Sequence, residues 1–293
     1  MAYLLIAVLI WASSFIVGKF AVAEFDPIQI MQIRLTFAAL VAFPFVVRVY
    51  TKIPKKHSLK VWLVSFLTLP LCVILQFSGL KLTSAASAVA LLGLNPLLTV
   101  LMGYFCFKKQ ATRLDFILSL FACVGILIMA AGSDDNGSIN VLGLLLVTLG
   151  SLSFIVGMYL SKDILQSVKV TDLTYVMLVQ GAITALPITL LFTTDWQLPT
   201  SLSAWASVAY LGIICSLLAM LLWNKGISQS SPILAGILLA LEPVFGLLMA
   251  LVFLSEQLSL ITWIGIIIVI CTALLSVFLP MMKKYQRLSN TAQ

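Results

Sequence analysis

The chain is divided into ten apolar runs, each long enough to cross roughly 30 Å of hydrocarbon at about 1.5 Å per helical residue. Their limits are Tyr3 to Val22, Pro27 to Val47, Val61 to Leu80, Ser84 to Phe107, Thr112 to Ala131, Val141 to Leu160, Leu173 to Phe192, Ala204 to Trp223, Pro232 to Leu254 and Leu260 to Met281. Inside a bilayer only helices and closed barrels satisfy every backbone polar group. Runs of this length, lacking the short alternating segments of a barrel, predict helices. With 62% hydrophobic and 9% charged residues among 293, nothing is left over for a water-facing domain. The first run holds Ala21-Val22-Ala23, which looks like a cleavage site, but no basic segment precedes it and it carries Trp11 and Lys19. An uncleaved first helix is expected.

Charge sets the orientation. Lys and Arg of short loops stay on the cytoplasmic side, and fourteen of the 17 fall in one alternate set of loops. They are Arg48, Lys52, Lys55, Lys56 and Lys60 after run 2, Lys108, Lys109 and Arg113 after run 4, Lys162 and Lys169 after run 6, Lys225 after run 8, and Lys283, Lys284 and Arg287 in the tail. Both termini are therefore expected in the cytoplasm. The exceptions are Lys19 and Lys81 near the opposite ends of runs, and Arg34 inside run 2. The net charge of +7 is thus scattered between spans, which argues against a nucleic-acid partner.

Cys72, Cys106, Cys123, Cys215 and Cys271 lie inside apolar runs without paired spacing, and His57, the single histidine, sits in a polar loop. Neither a metal site nor a nucleophile-and-base set can be assembled from them, so no cofactor and no enzymatic activity are expected. The expected partners are a small-molecule substrate and membrane lipid, with no obligate protein partner.

The chain also matches itself. A shift of 147 residues brings Leu71, Leu75, Gly79, Ser84, Ala88, Leu91, Leu92, Leu94 and Pro96 onto Leu218, Leu222, Gly226, Ser231, Ala235, Leu238, Leu239, Leu241 and Pro243. The same shift pairs Gln110 with Gln257 and Ile117 with Ile264. Two halves of five helices would each cross in the opposite sense, the inverted repeat of secondary transporters, with substrate bound near the midplane between halves. The expected organisation is a first repeat over 1–131, an external linker over 132–139, a second repeat over 140–282 and a cytoplasmic tail over 283–293. A duplicated scaffold could show the same repeat.

Polar residues at membrane depth are the candidates for function. Asn95-Pro96 and Glu242-Pro243 are equivalent under the shift and lie roughly 16 Å into their runs, at the bilayer centre. A carboxylate there is costly and should face the interior. Proline beside it removes a helical hydrogen bond, giving either a plain kink or a hinge at a substrate or proton site. Arg34 cannot lose its charge, so it needs a carboxylate or several carbonyls. An ion pair holding its helix, or capture of an anionic substrate, would supply that. Trp11, Ser13 and Ser14 form a polar and aromatic patch in run 1, and Ser14-Phe15-Ile16-Val17-Gly18 recurs as Ser153-Phe154-Ile155-Val156-Gly157 in run 6. Close helix packing by small residues is the alternative for these. Gln76, Trp223 and Asn224 are further candidates, Trp223 being equally explained as an interfacial belt residue.

Trp11-Ala12-Ser13-Ser14-Phe15 with Lys19, Pro27 followed by Arg34-Leu35, and Leu241-Glu242-Pro243 leading to Leu254-Ser255-Glu256-Gln257-Leu258 together resemble the drug/metabolite transporter superfamily, EamA type. The resemblance spans essentially the whole chain. It implies ten-helix bacterial inner-membrane exporters of amino acids and related metabolites. It also implies a central cavity lined by helices 1, 3, 4, 6, 8 and 9, where Trp11, Ser14, Gln76, Asn95, Ser153 and Glu242 fall, with Arg34, Pro96 and Pro243 as structural or hinge positions. The chain departs from that pattern at Lys108-Lys109, where a Glu is usual, and at Phe154, where a Trp is usual. Multidrug or cationic-compound efflux is the alternative substrate class.

Overall fold

The computed structural model describes the chain except residues 23, 83–91, 93, 109–110, 133–139, 194–195, 197–199, 254–258 and 292–293. Most of the expected external linker, Lys109, Gln110 and the Leu254 to Leu258 segment lie outside the described residues. Helices make up the fold, and no strand occurs among the described residues. We label them α1 (Ala2–Val22), α2 (Pro27–Val49), α3 (Ser58–Phe66, a π-helical Leu67–Leu71 and Cys72–Leu82), α4 (Asn95–Phe105) and α5 (Arg113–Ala131). There follow α6 (Val141–Ile164), α7 (Val170–Phe192), α8 (Leu202–Tyr210, a π-helical Leu211–Leu218 and Ala219–Gln229), α9 (Pro232–Leu239 and Leu241–Phe253) and α10 (Leu260–Thr291).

Among the described residues, eight of these are long and apolar enough to cross a membrane: α2, α3 and α5 to α10. The apolar part of α1 is the shorter Ala2–Gly18, and eleven residues of α4 are described. The backbone of α10 continues as helix to Thr291, through the region expected as a tail.

Local chemistry places the ends. Asp26 caps α2 through Ile28 N–H at 2.8 Å, and Gln29 reaches back to the Asp26 N–H at 3.3 Å, with Pro27 at the first turn. Thr112 and Asp115 form the same reciprocal cap on α5. The Glu24 carboxylate, in the α1–α2 turn, accepts from the Thr200 and Ser201 N–H groups at 3.0 and 3.2 Å, just ahead of α8. At the far end of α8, Lys162 Nζ donates to the Ile227 and Ser228 carbonyls at 2.9 and 3.0 Å. A negative group at the helix start and a positive one at its end both complement the α8 dipole.

Between helices there is little hydrophobic drive in lipid, so close van der Waals packing decides which ones pair. The most extensive contacts run between α3 and α6, α1 and α8, α5 and α10, and α2 and α7, and the described part of α4 packs on α9. Gly265 shows how close: a Cβ there would meet the Gly125 carbonyl and the Met129 N–H nitrogen, both at 2.5 Å. On α6, a Cβ at Gly150 would meet Gln76 Cγ at 2.8 Å and the Cys72 carbonyl at 2.9 Å. At the end of the α3–α6 pair Lys60 forms an ion pair with Asp163, and Ser167 Oγ lies 3.1 Å from His57 Nε2.

Gly265→Ala meets backbone that cannot swing aside and should destabilise by about 1–3 kcal/mol. Gly18→Ala, with nothing within 4 Å of the new Cβ, should be neutral or stabilising. Thermal unfolding of the two purified variants in detergent checks the contrast. Hydrogen bonds from the Ser201 side chain, then from the Ser201 and Thr200 amides, hold the Glu24 carboxyl below the usual carboxylate value of 4.5. A lowered folded-state value means that its contribution is present at neutral pH and is lost as pH falls below that value. The melting-temperature gap between the wild type and Glu24→Gln should therefore close on acidification.

Candidate functional site

Two helices are interrupted by π turns. Pro70 lies within Leu67–Leu71 of α3, where it lacks the N–H that would continue regular bonding. In α8 the Ser216 hydroxyl donates to the Leu211 carbonyl at 2.9 Å, inside Leu211–Leu218. Single π turns in otherwise regular helices concentrate at functional positions. Each of these offers a carbonyl to a donor from another helix. Ser153 Oγ on α6 donates to the Leu67 carbonyl at 2.7 Å, and Trp11 Nε1 on α1 donates to the Cys215 carbonyl at 2.9 Å.

Around these bonds stands an aromatic trio. Trp11 packs against Trp223 at 5.1 Å and against Phe154, edge on, at 5.9 Å, and Phe154 lies 5.8 Å from Trp223. Trp223 is 1% exposed, which rules out the interfacial belt position considered for it. Asn224 is equally buried and turns away, its Nδ2 donating to Thr174 Oγ1 on α7 at 2.9 Å. Trp11 and Phe154 remain half-buried.

Residue 240 interrupts α9, its N–H bonding the Ile237 carbonyl at 3.2 Å in a tightened turn, and Glu242 enters in the first turn of Leu241–Phe253. Asn95 opens the described part of α4 with Pro96 beside it; it is buried, and its Oδ1 has no hydrogen-bond partner among the described residues. Pro243 thus sits at an interruption of its helix, and Pro96 in the first turn of the described part of α4. The two chains of contact meet where a Cβ at Gly236 would touch Thr99 of α4, and Tyr159 of α6 donates to the Thr99 carbonyl at 2.8 Å.

Arg34 enters from α2. Its Nε donates to Ser216 Oγ at 2.9 Å, in the π turn of α8. The ion pair expected for it is absent among the described residues, and a hydroxyl takes that place. A close fit explains the geometry, since a Cβ at Gly212 would meet the Arg34 carbonyl at 2.7 Å. Arg34 and Glu242 are both half-buried, and they form no direct ion pair among the described residues.

The structure therefore brings Trp11 and Arg34 to one region, linked through Cys215 and Ser216, and α1 packs on the half of α9 that carries Glu242. Ser14 and Gln76 are half-buried on α1 and α3; Gln76 packs its Cγ at the α6 crossing. Ser153 has its hydroxyl engaged by the α3 backbone. Sequence reasoning missed Ser216 and Tyr210, whose hydroxyl lies 2.9 Å from Ser13 Oγ. Their only signal was a polar group in an apolar run.

The model of the EamA-like transporter family matches residues 1–131 and 141–278. The chain is 25% identical over 298 residues to the uncharacterized transporter YyaM of Bacillus subtilis, covering 96% of this chain and 94% of that one. It is 26% identical over 266 residues to a protein of Salmonella typhimurium named as a biotin transporter, covering 88% and 86%. A crystal structure 20% identical in sequence superposes with a TM-score of 0.81 over 95% of this chain and 96% of the other, which shows a shared fold.

Trp11→Phe keeps the ring and deletes the donor to the Cys215 carbonyl. It should cost about 1–3 kcal/mol, the penalty for a buried polar group left unpaired. Urea or thermal unfolding of the detergent-solubilised variant reads this loss, and Ser14→Ala, which breaks no observed bond, should leave stability within about 0.5 kcal/mol.

Proposed function

The chain belongs to the EamA-like transporter family and is a multi-pass membrane transporter; on that premise we propose that it exports amino acids or related small metabolites by alternating access. Its place is the bacterial inner membrane, with both termini cytoplasmic. The observation that carries the reading is the π turn of α8, which binds Arg34 of α2 through Ser216 and Trp11 of α1 through the Cys215 carbonyl, beside the aromatic trio Trp11, Phe154 and Trp223. Substrate binds among Trp11, Ser14, Gln76, Asn95, Ser153 and Glu242, with Arg34, Pro96 and Pro243 at the positions where helices bend or are anchored.

Alternating access rests on an inverted repeat, of 1–131 and 140–282 joined by 132–139 and followed by 283–293. Three features support it. Under the 147-residue shift Cys72–Leu82 of α3 falls on Ala219–Gln229 of α8, residue for residue. Both π turns then end at equivalent positions, Leu71 and Leu218. The helix pairing is also unchanged when the halves are exchanged: α5 with α10, α2 with α7 and α4 with α9 map onto themselves, and α3 with α6 maps onto α8 with α1. Two similar units meeting in this way have two equivalent ways of opening, one to each side.

Glu242 supplies proton coupling. A carboxylate near the midplane, without a hydrogen-bond partner among the described residues, holds either a proton or a cationic group of the substrate, and the competition links inward protons to outward solute. The aromatic trio also favours a second reading, efflux of cationic compounds, since tryptophan faces attract cations. Arg34, bound at the same π turn as Trp11, opposes that reading.

In proteoliposomes, flux through the wild type should vary with pH, and Glu242→Gln should flatten the profile. An unaltered profile would remove the coupling role. Reporter fusions at the two ends should both read cytoplasmic, and a split result would defeat the inverted arrangement.

A further inference from the structure

We propose that the groove between α2, α7 and the start of α8 is a lipid site, which holds one acyl chain of an ethanolamine phospholipid and donates to its ester carbonyl from Gln29. The site lies on the outer wall of the fold and shares no residue with the substrate site proposed above.

On α2 the groove is lined by Gln29, Ile33, Phe37 and Leu40, spaced three or four residues apart and so forming one stripe of the helix. Trp196, ahead of α8, and Trp205, within it, also line the groove, and Phe25 packs edge on against Trp205 at 5.3 Å. The volume is about 390 Å³, near the lower end of the roughly 300–1,000 Å³ of ligand pockets, which suits a single chain. Its length matches one leaflet. The apolar span of α2 begins at Ile28, and from Gln29 to Leu40 is about 16 Å along the helix, so the groove runs from one membrane boundary to about the midplane of a roughly 30 Å core. At the deep end Leu40 is 66% exposed, and Phe43 and Val47, further along the same stripe, are exposed as well. The groove therefore opens sideways, onto the surface of α2 that meets lipid.

Further polar groups of the groove are satisfied within the protein. Gln32 Nε2 donates to Thr36 Oγ1 at 3.1 Å and to the Ala182 carbonyl at 3.3 Å, and its Oε1 accepts from Thr189 Oγ1 at 3.4 Å. Thr36 Oγ1 in turn donates to the Gln32 carbonyl at 2.8 Å. A hydrocarbon chain can lie over these groups without breaking a bond. Gln29 differs. Its Oε1 accepts from the Asp26 N–H at 3.3 Å, while its Nε2 has no partner among the described residues, although the residue is only 6% exposed. A buried donor left unpaired is costly. Gln29 lies at the membrane boundary, the level at which phospholipid ester carbonyls supply acceptors, and the two tryptophans suit the same interface. Charge at that end selects the headgroup. Glu24 and Asp26 flank Phe25 of the groove, and their carboxylates attract the ammonium of an ethanolamine headgroup and repel an anionic one.

The test follows the rise in melting temperature of the full chain in a mild detergent as lipid is added, each variant against its own lipid-free value. The probes are phosphatidylethanolamine, phosphatidylglycerol with the same chains, and the ether-linked analogue of the first, which lacks the ester carbonyls. The wild type should bind the ester ethanolamine lipid about threefold or more tighter than the ether analogue, the worth of one hydrogen bond, and several-fold tighter than phosphatidylglycerol. Gln29→Glu keeps an acceptor for the Asp26 N–H and removes the donor, so it should lose the preference for the ester. Thr36→Trp fills the groove and should abolish stabilisation by phosphatidylethanolamine, whereas Leu145→Trp, at an exposed position of α6, should leave it unchanged. Equal binding of ester and ether lipids by the wild type overturns the proposal, as does an ester preference that survives in Gln29→Glu. Phosphatidylglycerol binding as tightly as phosphatidylethanolamine, equal losses in Thr36→Trp and Leu145→Trp, or no stabilisation by any lipid overturns it too. If Thr36→Trp does not fold, the ester and ether comparison in the wild type and Gln29→Glu still decides.

Discussion

A helix inside a bilayer has no water to satisfy its backbone, so any departure from regular bonding must be met by another protein group. The two π turns, in α3 and α8, are such departures, and donors from α6 and α1 meet them. Much else follows from this requirement. Ser153 and Trp11 are fixed because a carbonyl at each π turn accepts from them, and the helices that carry them are thereby pinned to α3 and α8 in a definite register. Most of the irregular backbone faces protein: Thr68, Leu69 and Pro70 of one turn and Leu211, Gly212, Cys215, Ser216 and Leu217 of the other are buried.

Around that centre the helices are held by two different means. Glycine contacts, at Gly150 and at Gly125 and Gly265, let backbones approach to ordinary atomic contact, which is where packing energy in lipid is found. The ends are held by charge, through Glu24 and Lys162 on α8 and through Lys60 with Asp163 between α3 and α6. Charges are cheap where water screens and solvates them and costly at depth. Arg34 and Glu242 are accordingly the described charged residues that call for a functional account, while the end contacts are explained by the helices they cap.

The self-match of the chain, the polar residues within its apolar runs and the resemblance to EamA-type transporters were legible in the residues. Glu242-Pro243 and Asn95-Pro96 could be singled out because a carboxamide, a carboxylate and two prolines interrupt long apolar runs, and a one-dimensional pattern registers such interruptions well. The role of Arg34 was not legible. An ion pair was expected from its charge, and the observed partner is a serine on a helix 182 residues away. Trp223 was similarly ambiguous: its position near a run's end fits a membrane interface, and only the neighbouring Trp11 and Phe154 show that it is an interior residue.

What the sequence alone determined is membrane residence, helical class, the approximate spans and the self-match between halves, because each depends on local hydrophobicity and spacing along the chain. The tertiary structure decided which hydroxyl holds Arg34, which carbonyl Trp11 binds, where π turns replace regular helix and which aromatic rings pack on Trp223. These depend on the rotation and depth of each helix against its neighbours. A shift of one residue turns a helix by about 100°, from 3.6 residues per turn, so the same apolar run can present a given side chain to lipid or to the interior, and only contacts with other helices choose between them.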